Sequence, residues 1–483
     1  MSGPGVAAKT DGKPTAKIGP RLHLKRAFPF AMAAAIWFYP VPAGLTAQAW
    51  HLFAVFVSAI VSVLLGVFPL LTSTMLAAGA VVLTNTISAS KAFAGFANTS
   101  VLLVVIAFLV AQAVVKSGLG QRISLFMVSL FGHSSLGLAY SIVLTDAAIA
   151  PAFPSNTARG GVLYPIVLSV AQGSGSHADD PEGRRLGGYL MFCGMASLAV
   201  SSALWMTATS ANPIAMQVAR EYGINVGFGK WLVASSVPAL TAILLLPRLI
   251  ARLFPPGVGS TPDAPAAARR ALTQLGALSR EEWITAVAFV VMVSGWIFAD
   301  KLQLNVTSIA FAGLGLLLMT GVLTADDIRT QGDTLATFLW LAVLFALSTQ
   351  LNELGFMGYV GQRLASYMGG LSWPLTYVAL IVIYVAIHYM FVSQSSQVLA
   401  LLGVFLDVGI RGGVPPQVMA FSLFFASSYF SVITPQGGSQ NVIFVGSGYL
   451  TQRELYRLGL LMTIFFMVIF LTIGTGWLML VAR

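Results

Sequence analysis

The chain has 483 residues, 57% of them hydrophobic and only 9% charged, with a formal net charge of +10. A water-soluble protein of this length needs far more surface charge. Repeated apolar runs near the roughly 20 residues that cross a bilayer as a helix predict an all-α polytopic membrane protein. The period-2 alternation of a membrane barrel is absent, the single Cys193 excludes an internal disulfide, and the five histidines form no ligand cluster.

Residues 1–26 are polar and basic, carrying Lys9, Lys13, Lys17, Arg21, Lys25 and Arg26 against Asp11. They read as a disordered cytoplasmic tail that sets orientation, not as a cleaved leader or a nucleic-acid arm. Apolar spans are then predicted near 28–44, 50–66, 68–84, 99–117, 186–210, 231–250, 283–300, 304–323, 335–353, 417–433 and 457–481. Two further apolar regions, 136–170 and 373–406, are too long for one span and broken in the middle. The limb from Leu136 to Ala150 rises about 22 Å as a helix, short of a bilayer core of about 30 Å. Pro151 and Pro154 stop it, and a second limb leaves from Thr157, which predicts a re-entrant hairpin in each region.

With the N-terminus inside, the outer side receives only Lys91, Arg220, Lys230, Lys301, Arg363, Arg411 and Arg483 of the 26 Lys and Arg, and Arg159 lies at depth. The bias supports eleven spans, two hairpins and an outside C-terminus, in an inner membrane. Residues 255–282, rich in Pro, Ala and Arg, read as a cytoplasmic linker between a first membrane half, 27–254, and a second, 283–483. Each half places a Gly-Gln-Arg segment before its hairpin and a broken span after it, Thr207–Pro213 in one and Thr434–Asn441 in the other. From the second span onward each half has five crossings, so the halves enter from opposite sides as inverted repeats.

The hairpin tips carry the chemistry. Lipid offers no partners to a broken backbone, so such breaks persist where they line a cavity. Ser155, Asn156 and Thr157 at the first tip and Ser393, Gln394 and Ser395 at the second supply donors at helix N-termini, which suit anionic oxygens. Helix capping is the alternative reading of the same hydroxyls. Arg159 is an intramembrane charge and a candidate for substrate binding or coupling; the alternative is a pair with Asp146. His388 and Gln397 are candidates for coupling, with a satisfied buried histidine as the alternative. Thr209, Thr434 and Pro435 in the broken spans are further candidates for substrate binding, and the freed carbonyls of those spans suit Na⁺. A membrane-embedded enzyme needs a nucleophile and base; Ser155 with His388 is the one such pairing, and no protease-like motif surrounds either.

The segments Pro154-Ser155-Asn156-Thr157-Ala158-Arg159, Thr207–Pro213, His388-Tyr389-Met390-Phe391 and Val445-Gly446-Ser447-Gly448-Tyr449 resemble the divalent anion–sodium symporter family, most of all its citrate, tartrate and 2-oxoglutarate/malate exchanger branch. The resemblance covers the chain after the tail. It implies a homodimer, with a scaffold and a moving transport domain that carries a di- or tricarboxylate between the two tips by an elevator motion. The second tip departs from the family's repeated Ser-Asn-Thr by reading Ser393-Gln394-Ser395, and Gln397 stands where exchangers often have a histidine. The expected function is secondary dicarboxylate transport by anion exchange, with no catalytic residue, no resident metal and no nucleic-acid partner. The alternatives are a Na⁺-coupled dicarboxylate, tricarboxylate or sulfate symporter and, from another class, an anion channel.

Overall fold

Every predicted span overlaps a helix, and several of these helices start on a polar side-chain cap in otherwise apolar sequence. The computed structural model describes residues 20–180, 183–367, 370–391, 393–438 and 440–482. Residues 1–19 of the basic tail, Ser439 of the second break and the terminal Arg483 lie outside the described residues. Asn98 accepts from Ser100 N and Val101 N at 2.9 and 3.2 Å, and Asn305 accepts from Thr307 N and Ser308 N at 2.9 and 3.1 Å. Both thereby satisfy amides that no preceding turn can reach. Ser279 with Glu282 and Thr451 with Glu454 form reciprocal capping boxes.

Among the described residues no strand forms. Seven helices are long and apolar enough to cross a bilayer, and shorter apolar helices such as Leu70–Leu83 and Val306–Met319 accompany them. This is an all-α polytopic membrane protein. The first helix runs Pro20–Phe38 and so takes in the end of the basic segment. The stretch 255–282 is structured: helix Asp263–Leu275 packs along helix Leu119–Phe131. Thr261 fixes its start by donating from Oγ1 to Gly132 O at 2.7 Å and from N to His133 O at 3.0 Å.

The first hairpin consists of Ser135–Ile149, a turn through Ala150–Ala152 and the tip, and Asn156–Gly173. Both limbs pack against Arg184–Leu204, whose buried length forms the centre of the protein. The second hairpin consists of Trp373–His388, a turn, and a continuous helical limb over 394–411 with a wide turn at Val398–Leu402. Its second limb therefore runs past the expected end at 406.

The broken spans also run further than expected. Arg184–Leu204 is followed by a tight turn at Met206–Ala208 and then by helix Ala211–Arg220. Pro213 reads as a stop in sequence, but it sits in the first turn of the resumed helix, where no N–H is required. In the second half Pro416–Tyr429 breaks through Pro435–Gly437 and resumes at Asn441–Val445. The two breaks close in the same way. Asn212 Nδ2 donates to Ser202 O and Trp205 O at 2.7 and 3.1 Å, and Asn441 Nδ2 donates to Ser431 O and Thr434 O at 2.5 and 2.9 Å. Each amide thus reaches ten and seven residues back. That shared detail makes the halves a structural repeat.

Candidate functional site: a polar cavity between two hairpin tips

Each hairpin tip is a helix start held by a broken span. At the first, Ser155 Oγ accepts from Ala158 N at 3.3 Å; at the second, Ser393 Oγ accepts from Ser396 N at 3.4 Å. The prolines that end the first limb free carbonyls, and the first break supplies their donors. Thr207 Oγ1 donates to Pro151 O at 2.8 Å, Ser210 N to Pro154 O at 2.9 Å, and Trp205 Nε1 to Ala147 O at 2.9 Å. Two interrupted backbones thus satisfy each other inside the protein, as a membrane interior demands.

The tips meet. Asn156 Nδ2 lies 3.3 Å from Gln394 Oε1, Thr209 Oγ1 lies 3.5 Å from the same oxygen, and Ser210 Oγ lies 2.9 Å from Ser395 Oγ. Around them is a cavity of about 230 Å³. Ser155, Asn156, Thr209, Ser393, Gln394 and Ser395, all expected from sequence, line it. Ser210, Gly438 and Gln440 from the breaks join them, and Phe108, Thr337 and Trp340 close the opposite wall. No acidic or basic side chain is among the lining residues. Helices Asn156–Gly173 and 394–411 both begin at this cavity, so two positive dipole ends face it. Among the described residues Gln394 Nε2 is buried with no hydrogen-bond partner.

The other expected residues stand behind or beside this cavity. Arg159 is wholly buried and does not line it. Its Nε lies 3.0 Å from Asp146 Oδ1, while Nη2 donates to Asn156 Oδ1 at 3.0 Å, to Leu198 O at 2.8 Å and to Ser202 Oγ at 2.8 Å. Ser201 Oγ donates to Asp146 Oδ2 at 2.6 Å and completes the pair. The pairing with Asp146 is therefore the geometry found, and Arg159 reaches the cavity only through Asn156. His388 lies between Gln397 Oε1, 2.5 Å from Nδ1, and Gly437 O, 2.9 Å from Nε2, and does not meet Ser155. Gln397 Nε2 donates to Tyr384 O at 3.0 Å. Thr157 is exposed and outside the lining. Thr434 and Pro435 belong to the second break but do not line the cavity; Thr434 O receives Asn441 Nδ2.

Sequence reasoning missed the far wall. Thr337 and Trp340 lie three residues apart on Gly332–Glu353, hence on one face of that helix. Phe108 on Thr99–Ser117 carried no signal that separates it from a lipid-facing residue.

Comparison with known proteins agrees with this architecture. The model of the sodium:sulfate symporter transmembrane region matches residues 21–483. The chain is 35% identical to a putative malate transporter of Bacillus subtilis over 92% of its own length and 94% of that protein. It is 35% identical to the chloroplastic dicarboxylate transporter 1 of Arabidopsis thaliana, over 92% and 80%. With the citrate/succinate antiporter of Escherichia coli the identity is 30% over 92% and 96%. The crystal structure of the Alcanivorax borkumensis YdaH transporter, at 14% identity, superposes with a TM-score of 0.57 over 95% of this chain and 98% of that one, a likeness of fold. With mirrored hairpins, paired breaks and a family match along nearly its whole length, the chain belongs to the sodium:sulfate symporter family.

Proposed function

We propose that this protein is a secondary transporter of small dicarboxylates that works by anion exchange, with the substrate held between the two hairpin tips. The observation that carries the reading is the cavity itself. Its walls present hydroxyls, carboxamides and two helix N-termini from both halves of the chain, and no carboxylate. Such a surface recognises carboxylate oxygens at both ends of a short molecule. At about 230 Å³ it is smaller than the roughly 300 Å³ at which drug-sized pockets begin, in keeping with a small solute. The names of the relatives, a malate transporter, dicarboxylate transporters and a citrate/succinate antiporter, support the same substrate class.

Exchange is favoured over Na⁺ coupling by what stands behind each tip. Asn156 Oδ1, an oxygen suited to a cation, is already taken by Arg159 Nη2 and by Ser202 Oγ at 2.7 Å. At the second tip His388 lies between Gly437 O and Gln397 Oε1, and the single N–H of its neutral imidazole donates to one of them. These contacts engage the oxygens behind the tips, while Asn212 Oδ1 and Asn441 Oδ1 in the two breaks are buried with no hydrogen-bond partner among the described residues, which is where the symport reading would seat Na⁺. The cycle we propose is an elevator motion of the hairpins and broken spans against the wall of Phe108, Thr337 and Trp340. The protein works as a homodimer in the inner membrane, with its N-terminus inside and its C-terminus outside.

Proteoliposomes test the exchange. Uptake of labelled malate should require internal dicarboxylate and ignore a Na⁺ gradient. Rapid Na⁺-driven uptake into empty vesicles contradicts it and favours the symport reading.

A further inference from the structure

A second cavity, of about 500 Å³, lies between the wall helices and the first broken span, on the side that the Lys and Arg bias of the sequence assigns to the outside. One side is formed by the starts of Thr99–Ser117 and Val306–Met319, and the other by Met206, Pro213 and the segment from Arg220 to Lys230. Leu103 lines this cavity and Phe108 the central one. Five residues on one helix separate them by about 7.5 Å. Likewise Met206 faces the outer cavity and Thr209 the central one, so the same break walls both.

Two cations and one anion line the outer cavity: Arg220, Lys230 and Asp300. Among the described residues none of the three forms an ion pair, although seven pairs are made elsewhere. Among the described residues the one side-chain hydrogen bond of Arg220 goes to the Gln217 carboxamide, at 3.2 Å. Asp300 is exposed and set against Gly227, where an added Cβ would lie 1.8 Å from its carboxylate oxygen. Lys230 sits in the first turn of Phe228–Leu253, whose N-cap residue Gly227 provides no side-chain cap and faces the Asp300 carboxylate. The cavity therefore carries a net positive charge beside a neutral binding site.

We propose that this cavity is an electrostatic vestibule, a second and weaker carboxylate site in which Arg220 and Lys230 capture the dianion before it reaches the tips. Asp300 opposes that capture and limits its strength, so that the anion moves on. The inference rests on the reading of the chain as a dicarboxylate carrier. A cleft of net positive charge raises the arrival rate of an anion, and salt screens the effect.

The test measures malate KM separately at the two faces, in cells and in inverted membrane vesicles. Arg220→Gln/Lys230→Gln should raise KM roughly 3–10-fold at one face only, leave kcat and the other face unchanged, and flatten the dependence of KM on ionic strength. Asp300→Asn should lower KM at that same face. Unchanged KM at both faces, or equal changes at both, overturns the vestibule. If the double variant does not fold, Asp300→Asn decides: a KM that stays the same or rises overturns the proposal. Absence of carboxylate transport by the wild type would instead overturn the carrier reading itself.

Discussion

The two hairpins share a backbone plan and differ in what stands behind their tips. In both, a serine caps a helix whose first residue carries a carboxamide, Asn156 in one and Gln394 in the other. The residue four positions past that serine turns away from the cavity, and there the halves part. Arg159 forms a buried ion pair with Asp146, whereas Gln397 binds the imidazole of His388. The repeat therefore preserves the surface that lines the cavity and changes the support beneath it. A buried ion pair demands its partner at all times, because a lone charge in a dry interior is costly. An amide–imidazole pair is cheaper to disturb.

The largest effects should come from the charged support. Arg159→Ala and Asp146→Ala each strand a buried charge and should cost about 3–5 kcal/mol, enough to lower Tm markedly and abolish uptake. Arg159→Met/Asp146→Leu removes both charges and should recover much of the Tm, while uptake stays low because Asn156 has lost its guanidinium partner. Single variants as stable as the wild type would dissolve the contrast between the hairpins. In the second half, His388→Ala removes the imidazole that bridges Gln397 and Gly437 and should cost about 1–3 kcal/mol. Its signature is a smaller fall in Tm with weakened exchange. A loss equal to that of Asp146→Ala would show that both supports are equally critical.

Much of this was legible in the sequence because membrane sequences are constrained. Prolines and hydroxyls cannot interrupt an apolar helix without a protein-internal reason, so Pro151, Pro154 and the Ser-Asn-Thr tip announced a break. Six of the ten residues expected to bind substrate line one cavity: Ser155, Asn156, Thr209, Ser393, Gln394 and Ser395. Arg159 illustrates the limit. Its rarity marked it as important, but depth in the membrane does not reveal which way a side chain turns, and it turns towards Asp146 and the back of Asn156. The resumed helix after Pro213 was hidden because a proline in a first turn and a proline after a last turn look alike in sequence. Phe108 and Trp340 were invisible because aromatic residues facing a cavity and those facing lipid have the same composition.

The central claim is that an anion is gripped by neutral donors from both tips, and Gln394 tests it most directly. Gln394→Glu keeps the shape, leaves an oxygen for Asn156 and Thr209, and replaces the unpartnered Nε2 donor with a carboxylate oxygen. Titration of malate into the purified protein should show a Kd at least roughly 100-fold weaker than in the wild type, with helix content unchanged, since a like charge in the wall costs several kcal/mol. An unchanged Kd would place the substrate elsewhere and contradict the account.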